Sequence, residues 1–153
     1  MIGRLRAHAR SLAGGLPRTF WFLCAGMFVN RCGSFVLPFL SIYLTRSRGY
    51  SLATAGVVAS LYGAGAMLAS LVGGYLADHI GRRATMIVAL AFGGAGIMAL
   101  GFAHDIRVIA PATFLVALAG EAYRPAMLAA VSDLVAPAER GRAFGLLYWV
   151  INI

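Results

Sequence analysis

Gly74-Tyr75-Leu76-Ala77-Asp78-His79-Ile80-Gly81-Arg82-Arg83 stands between two long apolar runs, Ser51–Leu76 and Ala84–Ala103. A membrane-crossing helix needs about 20 mostly apolar residues, and each flanking run supplies them. The stretch therefore reads as the turn of a transmembrane hairpin. Gly81 permits the tight turn. Asp78 closes the first helix, and Arg82 and Arg83 precede the second. A carboxylate there can cap the N-terminus of the neighbouring helix. On charge alone the turn fits either a solvated loop with ordinary basic residues or a working motif.

Composition supports the membrane reading. Of 153 residues, 61% are hydrophobic and 12% are charged. A soluble domain carries about 25% charged residues. The net charge is +8, and every basic residue is an arginine. These arginines fall between apolar runs rather than on one polar face, which argues against nucleic acid as a partner and for a lipid bilayer. Cys24 and Cys32 lie in one apolar run, eight residues apart. As helix this is ~12 Å, too far for a disulfide. They read as small buried apolar residues. No phosphate loop, metal-ligand cluster or nucleophile with a matched base occurs, so neither a cofactor nor enzyme activity is expected. His8, His79 and His104 fall in tail or loop positions and read as solvated.

Four runs reach spanning length: Phe20–Leu44, Ser51–Ala77, Ala84–Ala103 and Val108–Val135. A fifth begins near Ala143 and stops at Ile153, too short to span, so the chain reads as truncated. The first run follows Arg4, Arg6 and Arg10, as a signal peptide would. It is too long for that and lacks a small-residue cleavage site, so it reads as an uncleaved span. Arginines are dense at 4, 6, 10, 18, then 82 and 83, then 140 and 142. They are sparse on the alternate side, at 46, 48 and 107. The positive-inside rule puts the dense side, with the N-terminus, in the cytoplasm. Trp21, Tyr43 and Tyr50 fall near span ends, where interface aromatics belong. Residues 1–19 form a basic cytoplasmic tail. Leu5, Leu12 and Leu16 fit an interfacial helix or a disordered tail equally well.

Lipid gives helices no hydrophobic reason to associate, so small residues must allow close packing. Gly65, Ala69, Gly73 and Ala77 form a ridge at every fourth residue of the second span. Gly93, Gly94 and Gly96 do the same work in the third.

Three charges lie well inside spans: Arg31, Glu121 and Arg124. A charge at mid-membrane costs at least ~2.5–3.5 kcal/mol, so it normally faces a cavity or a partner. Arg31 lies ~16 Å from Phe20 along the first span, and Arg124 ~14 Å from Asp133 along the fourth. Pro38 and Pro125 can kink these two helices. Glu121 and Arg124 are three apart and share a helix face. They fit a structural ion pair, with Arg31 as a third member, or a site for substrate and protons. In the second reading Glu121 carries the proton, and Arg31 and Arg124, beside Asn30, hold an anionic group.

The hairpin stretch resembles the signature between the second and third helices of the major facilitator superfamily. Gly74, Leu76, Ala77, Asp78, Gly81, Arg82 and Arg83 match, and His79 stands where arginine is common. Asp133-Leu-Val-Ala-Pro-Ala-Glu139-Arg140-Gly141-Arg142-Ala143 looks like the family's loop between the fourth and fifth helices. The resemblance implies an all-α polytopic bundle, with residues 20–153 as part of the N-terminal half of a twelve-helix carrier. It implies a conformational gate in which Asp78 and Arg82 pair with Asp133. It also makes the first and fourth spans equivalent in inverted repeats, where matched interruptions point to a binding site. Gly120-Glu121-Ala122-Tyr123-Arg124-Pro125 is similar to the fourth helix of proton-coupled peptide carriers. That branch also has two glutamates in its first helix, which Met27-Phe28-Val29-Asn30-Arg31 lacks. The expectation is thus proton-coupled efflux of a small molecule across the cell (plasma or inner) membrane, with a missing C-terminal half as partner. The alternatives are a peptide-type uptake carrier and a small bundle or oligomer without transport.

Overall fold

The computed structural model describes residues 15–33 and 36–152, except for the side chains of 32, 33, 36 and 37. Arg4, Arg6, Arg10, His8 and the Cys32 side chain lie outside the described residues. Described residues are helical or in turns, with no strand among them. In chain order the α-helices are α1 (Arg18–Gly33), α2 (Val36–Ile42), α3 (Leu52–His79), α4 (Arg82–Phe102), α5 (Ile106–Glu121), α6 (Tyr123–Leu134) and α7 (Arg140–Asn152). Three stretches are long and apolar enough to cross a membrane: Leu52–His79, Arg82–Phe102 and Ile106–Leu134. The expected first span is helical as α1 and α2 and continues as a π-helix, Tyr43–Ser47.

Large apolar side chains point outward along these helices, among them Phe22, Val29, Phe39, Met67, Leu71, Phe92, Met98 and Phe102. A helix apolar all round has no water-facing side, so these faces suit lipid.

The chain divides within α6 into two compact units, one holding residues up to 32 and from 130, the other 33–129. In the first, Phe20, Cys24 and Met27 form a buried stripe on α1, and Ala143 and Leu147 a second on α7. Arg142 pairs with Glu139 at 2.7 Å across the first turn of α7. The arginines 140 and 142, expected in a loop, thus open a helix after the short 3-10 turn Pro137–Glu139.

In the second unit α5 is central and packs along both α3 and α4, which touch each other far less. The glycine ridge explains this. A β-carbon on Gly65 would come within 2.4 Å of the Phe114 carbonyl oxygen, and one on Gly73 within 2.5 Å of that of Ala122. Ala69 and Ala77 continue the ridge, both buried. On α4, Gly93 meets the Gly120 backbone and Gly96 meets Val116. Gly94 faces open space, contrary to expectation. It is one residue on from Gly93, about 100° round the helix, while Gly96 returns to the same face.

The end of the second unit opposite the hairpin turn is tied down by polar contacts. Ser51 caps α3 by accepting from the Thr54 amide at 3.1 Å. Asp105 caps α5 by accepting from the Arg107 amide at 2.8 Å. Arg48 donates to the His104 carbonyl at 2.6 Å and lies over the Tyr43 ring. Beneath them Leu44, Ala55, Val58, Leu100 and Ile109 form a small apolar core.

Candidate functional site

The hairpin turn is shorter than its sequence suggests. α3 runs to His79, and Arg82 and Arg83 are the first residues of α4 rather than a loop before it. Only Ile80 and Gly81 connect the helices. Gly81 adopts φ +89°, a left-handed conformation that side chains resist. Its carbonyl accepts from both the amide (3.1 Å) and hydroxyl (3.0 Å) of Thr85, which closes the first turn of α4. No side chain caps α4 at Gly81. Asp78 instead accepts from the Arg82 guanidinium at 2.9 Å, and Arg82 also donates to the Ala77 carbonyl at 3.2 Å. A long side chain one turn on outreaches the backbone amides for this carboxylate. His79 lies in the last turn of α3, exposed and stacked on Tyr75, with Nδ1 2.8 Å from the Tyr75 carbonyl. Gly74 has open space where a β-carbon would stand.

The second constellation lies halfway along the fourth span. That span is not one continuous helix: α5 ends at Glu121 and α6 begins at Tyr123. Pro125 supplies the reason. It has no amide hydrogen, so the carbonyl four residues back, that of Glu121, loses its helical donor. The break therefore falls at Glu121–Ala122, beside the two-sided contact of Gly73 with Ala122 and Pro125.

Glu121 is 28% exposed and has partners on two helices. The Tyr62 hydroxyl on α3 donates to its Oε1 at 2.7 Å. Arg124 on α6 approaches Oε2 at 3.8 Å and is itself half exposed. The expected Glu121–Arg124 pairing is present, although at a loose distance. Tyr62 is the member that sequence reading missed. Its signal was its depth: ten residues, ~15 Å, beyond Leu52, far from the interface where a tyrosine normally keeps its hydroxyl wet. A phenol at that depth requires a partner.

Asn30, Arg31 and Asp133 belong to the first unit. Arg31 lies in the last turn of α1 and is exposed, Asn30 beside it is half-buried, and Asp133 is the penultimate residue of α6. Among the described residues no group of three or more histidine, cysteine or acidic side chains is placed to hold a metal ion.

The geometry can do two things. At the turn, an ion pair links the last turn of α3 to the first turn of α4. At mid-span, a carboxylate sits at a broken helix, held by a hydroxyl from one neighbour and faced by a cation from the next turn. Such a group can take up and release a proton or bind a polar solute.

The family model for the Major Facilitator Superfamily matches residues 23–153. The uncharacterized MFS-type transporter YqjV of Bacillus subtilis (strain 168) is 35% identical over 136 residues, 87% of this chain and 33% of that protein. The multidrug resistance protein MdtH of Cronobacter sakazakii is 30% identical over 92% of this chain and 34% of its own length. A Na(+), Li(+), K(+)/H(+) antiporter of Planococcus maritimus is 29% identical over 86% of this chain and 32% of its own. The chain spans about a third of the length of these curated relatives.

Proposed function

The chain belongs to the major facilitator superfamily, and on that premise we propose that it forms part of a proton-coupled exporter of a small molecule. The carrier works by alternating access, with two halves rocking about a site near the midplane. This chain supplies part of the N-terminal half, and the rest of the carrier supplies the other wall of the path. It transports without chemically converting its cargo. It lies in the inner membrane with the arginine-rich hairpin turn and the N-terminus in the cytoplasm.

One observation carries this reading: Glu121 sits at the interruption of the fourth span, hydrogen-bonded to Tyr62 and faced by Arg124. An ionisable group at this depth marks an ion or substrate path by default. Relatives named for multidrug resistance and for cation/proton antiport favour export over uptake. Arg31 and Asn30 on α1 are proposed as further contacts of the substrate. Gly74, Asp78, Gly81, Arg82 and Arg83 are proposed as the gate, with Asp133 as its third charged member.

The test is Glu121→Gln in the full-length carrier, reconstituted in proteoliposomes with an imposed proton gradient. A substrate panel first identifies a cargo. The variant is expected to insert normally and to lose gradient-driven accumulation. Undiminished accumulation overturns the proton role of Glu121.

A further inference from the structure

Beside the Glu121 site, the second unit holds a cavity of about 270 Å³, bounded by Pro38 and Ser41 of α2, Val58, Ala59 and Tyr62 of α3, and Thr113 of α5. Its walls are mostly apolar. Thr113 commits its hydroxyl hydrogen to the Ile109 carbonyl at 2.8 Å. Tyr62 is shared: it lines the cavity, and its hydroxyl holds Glu121 Oε1 at 2.7 Å. An apolar cavity of about 150 Å³ is enough to bind benzene. This one has room for a substituted aromatic ring or a branched aliphatic group.

We propose that this cavity receives a ring-sized apolar group of the substrate, and that Tyr62 is the positioning residue that reports its arrival to Glu121. A group entering the cavity turns the Tyr62 ring and draws its hydroxyl away from the carboxylate. Occupancy of the cavity and the placing of Glu121 then become one event. No bond other than the hydrogen bond is made or broken. The other groups around Glu121 leave Tyr62 this role: Arg124 approaches the opposite carboxylate oxygen, and α4 meets this turn with Gly93, which has no side chain. The inference rests on the reading of Glu121 as the working carboxylate. It adds the chemical class of the cargo, a solute with one compact apolar group.

The experiment uses the full-length protein in lipid nanodiscs, with benzene as the probe and infrared difference spectroscopy as the readout. Ring-labelled tyrosine identifies tyrosine bands. Benzene is expected to shift one tyrosine C–O band and one carboxylate band together. Tyr62→Phe removes both changes while keeping the ring. Ala59→Leu, which fills the cavity from an exposed position, also removes both. Glu121→Gln removes the carboxylate change alone. Benzene shifts that persist in Ala59→Leu, or a carboxylate change that survives in Tyr62→Phe, overturn the proposal. Intact coupled shifts alongside a Glu121→Gln carrier that still accumulates cargo overturn the proton role instead. The two readings thus fail separately.

Discussion

Replacing Gly73 by alanine tests the packing that holds the fourth span in its broken form. A β-carbon there would stand 2.5 Å from the Ala122 carbonyl oxygen, 2.7 Å from Pro125 Cγ and 2.9 Å from Ala122 Cα. Ordinary contact begins at 3.4 Å, so the shortest of these needs about 0.9 Å of relief. Two of the three atoms are backbone, and the third belongs to a closed ring. No rotamer change can provide the space, so α3 must move away from α5 and α6. Overpacking of this kind costs roughly 1–3 kcal/mol. Gly63→Ala is the matched control. It lies on the same helix with nothing within 4 Å of its β-carbon, and gains only helix propensity, at most about 1 kcal/mol. Unfolding by titration with sodium dodecyl sulfate from a fixed mild detergent gives both values. Gly73→Ala is expected to be clearly less stable than the parent, and Gly63→Ala equal or better. Equal stability of the two variants would refute the ridge as the contact that seats α3.

Two further outcomes are expected. Asp78→Asn removes a charge pair whose carboxylate is largely exposed, so stability should change by less than about 1 kcal/mol; substrate binding by isothermal calorimetry should persist while turnover in proteoliposomes falls, and unchanged turnover would make the turn a topology signal only. Pro125→Ala restores an amide that can reach the Glu121 carbonyl and closes the break; hydrogen exchange should show a protected amide at 125, with protection rising at 122 and 123, and rapid exchange there would mean that packing rather than proline breaks the helix.

The helices were legible in the sequence because lipid imposes a length on them. A run of twenty apolar residues has few other uses, and Leu52–His79 and Arg82–Phe102 begin and end within two residues of expectation. The ridge Gly65–Ala77 was legible for a related reason: a period of four needs no knowledge of the partner. Gly94 was misread because three close glycines do not declare which of them share a face. At the hairpin turn, sequence identified the residues but not their contacts. Whether Asp78 caps a helix or binds Arg82 depends on where α4 begins, and a boundary shift of two residues changes the answer.

The mid-span site was legible in its charges but not in its architecture. Pro125 announced a kink, and the rule that proline deprives the carbonyl four residues back leads directly to Glu121. Taken one step further, that rule places the carboxylate at the break. Tyr62 is different in kind. It is 59 residues from Glu121, and its pairing depends on α3 running parallel to α5 with the two helices in close register. That register is set by Gly65 against Phe114 and Ala117, and by Gly73 against Ala122. From Gly65 to Tyr62 is one turn along α3, and from Ala117 to Glu121 is one turn along α5 in the opposite sense. The Tyr62 hydroxyl must therefore reach forward along the interface, toward the C-terminal end of α3, and a tyrosine is long enough to do so. A slip of one turn that carries Tyr62 away from Glu121 would add about 5 Å to their separation and break this hydrogen bond, while Arg124, on the same span as Glu121, would keep its approach to the carboxylate. The small-residue ridge thus does more than admit a close neighbour: it sets the register in which Tyr62 and Glu121 meet.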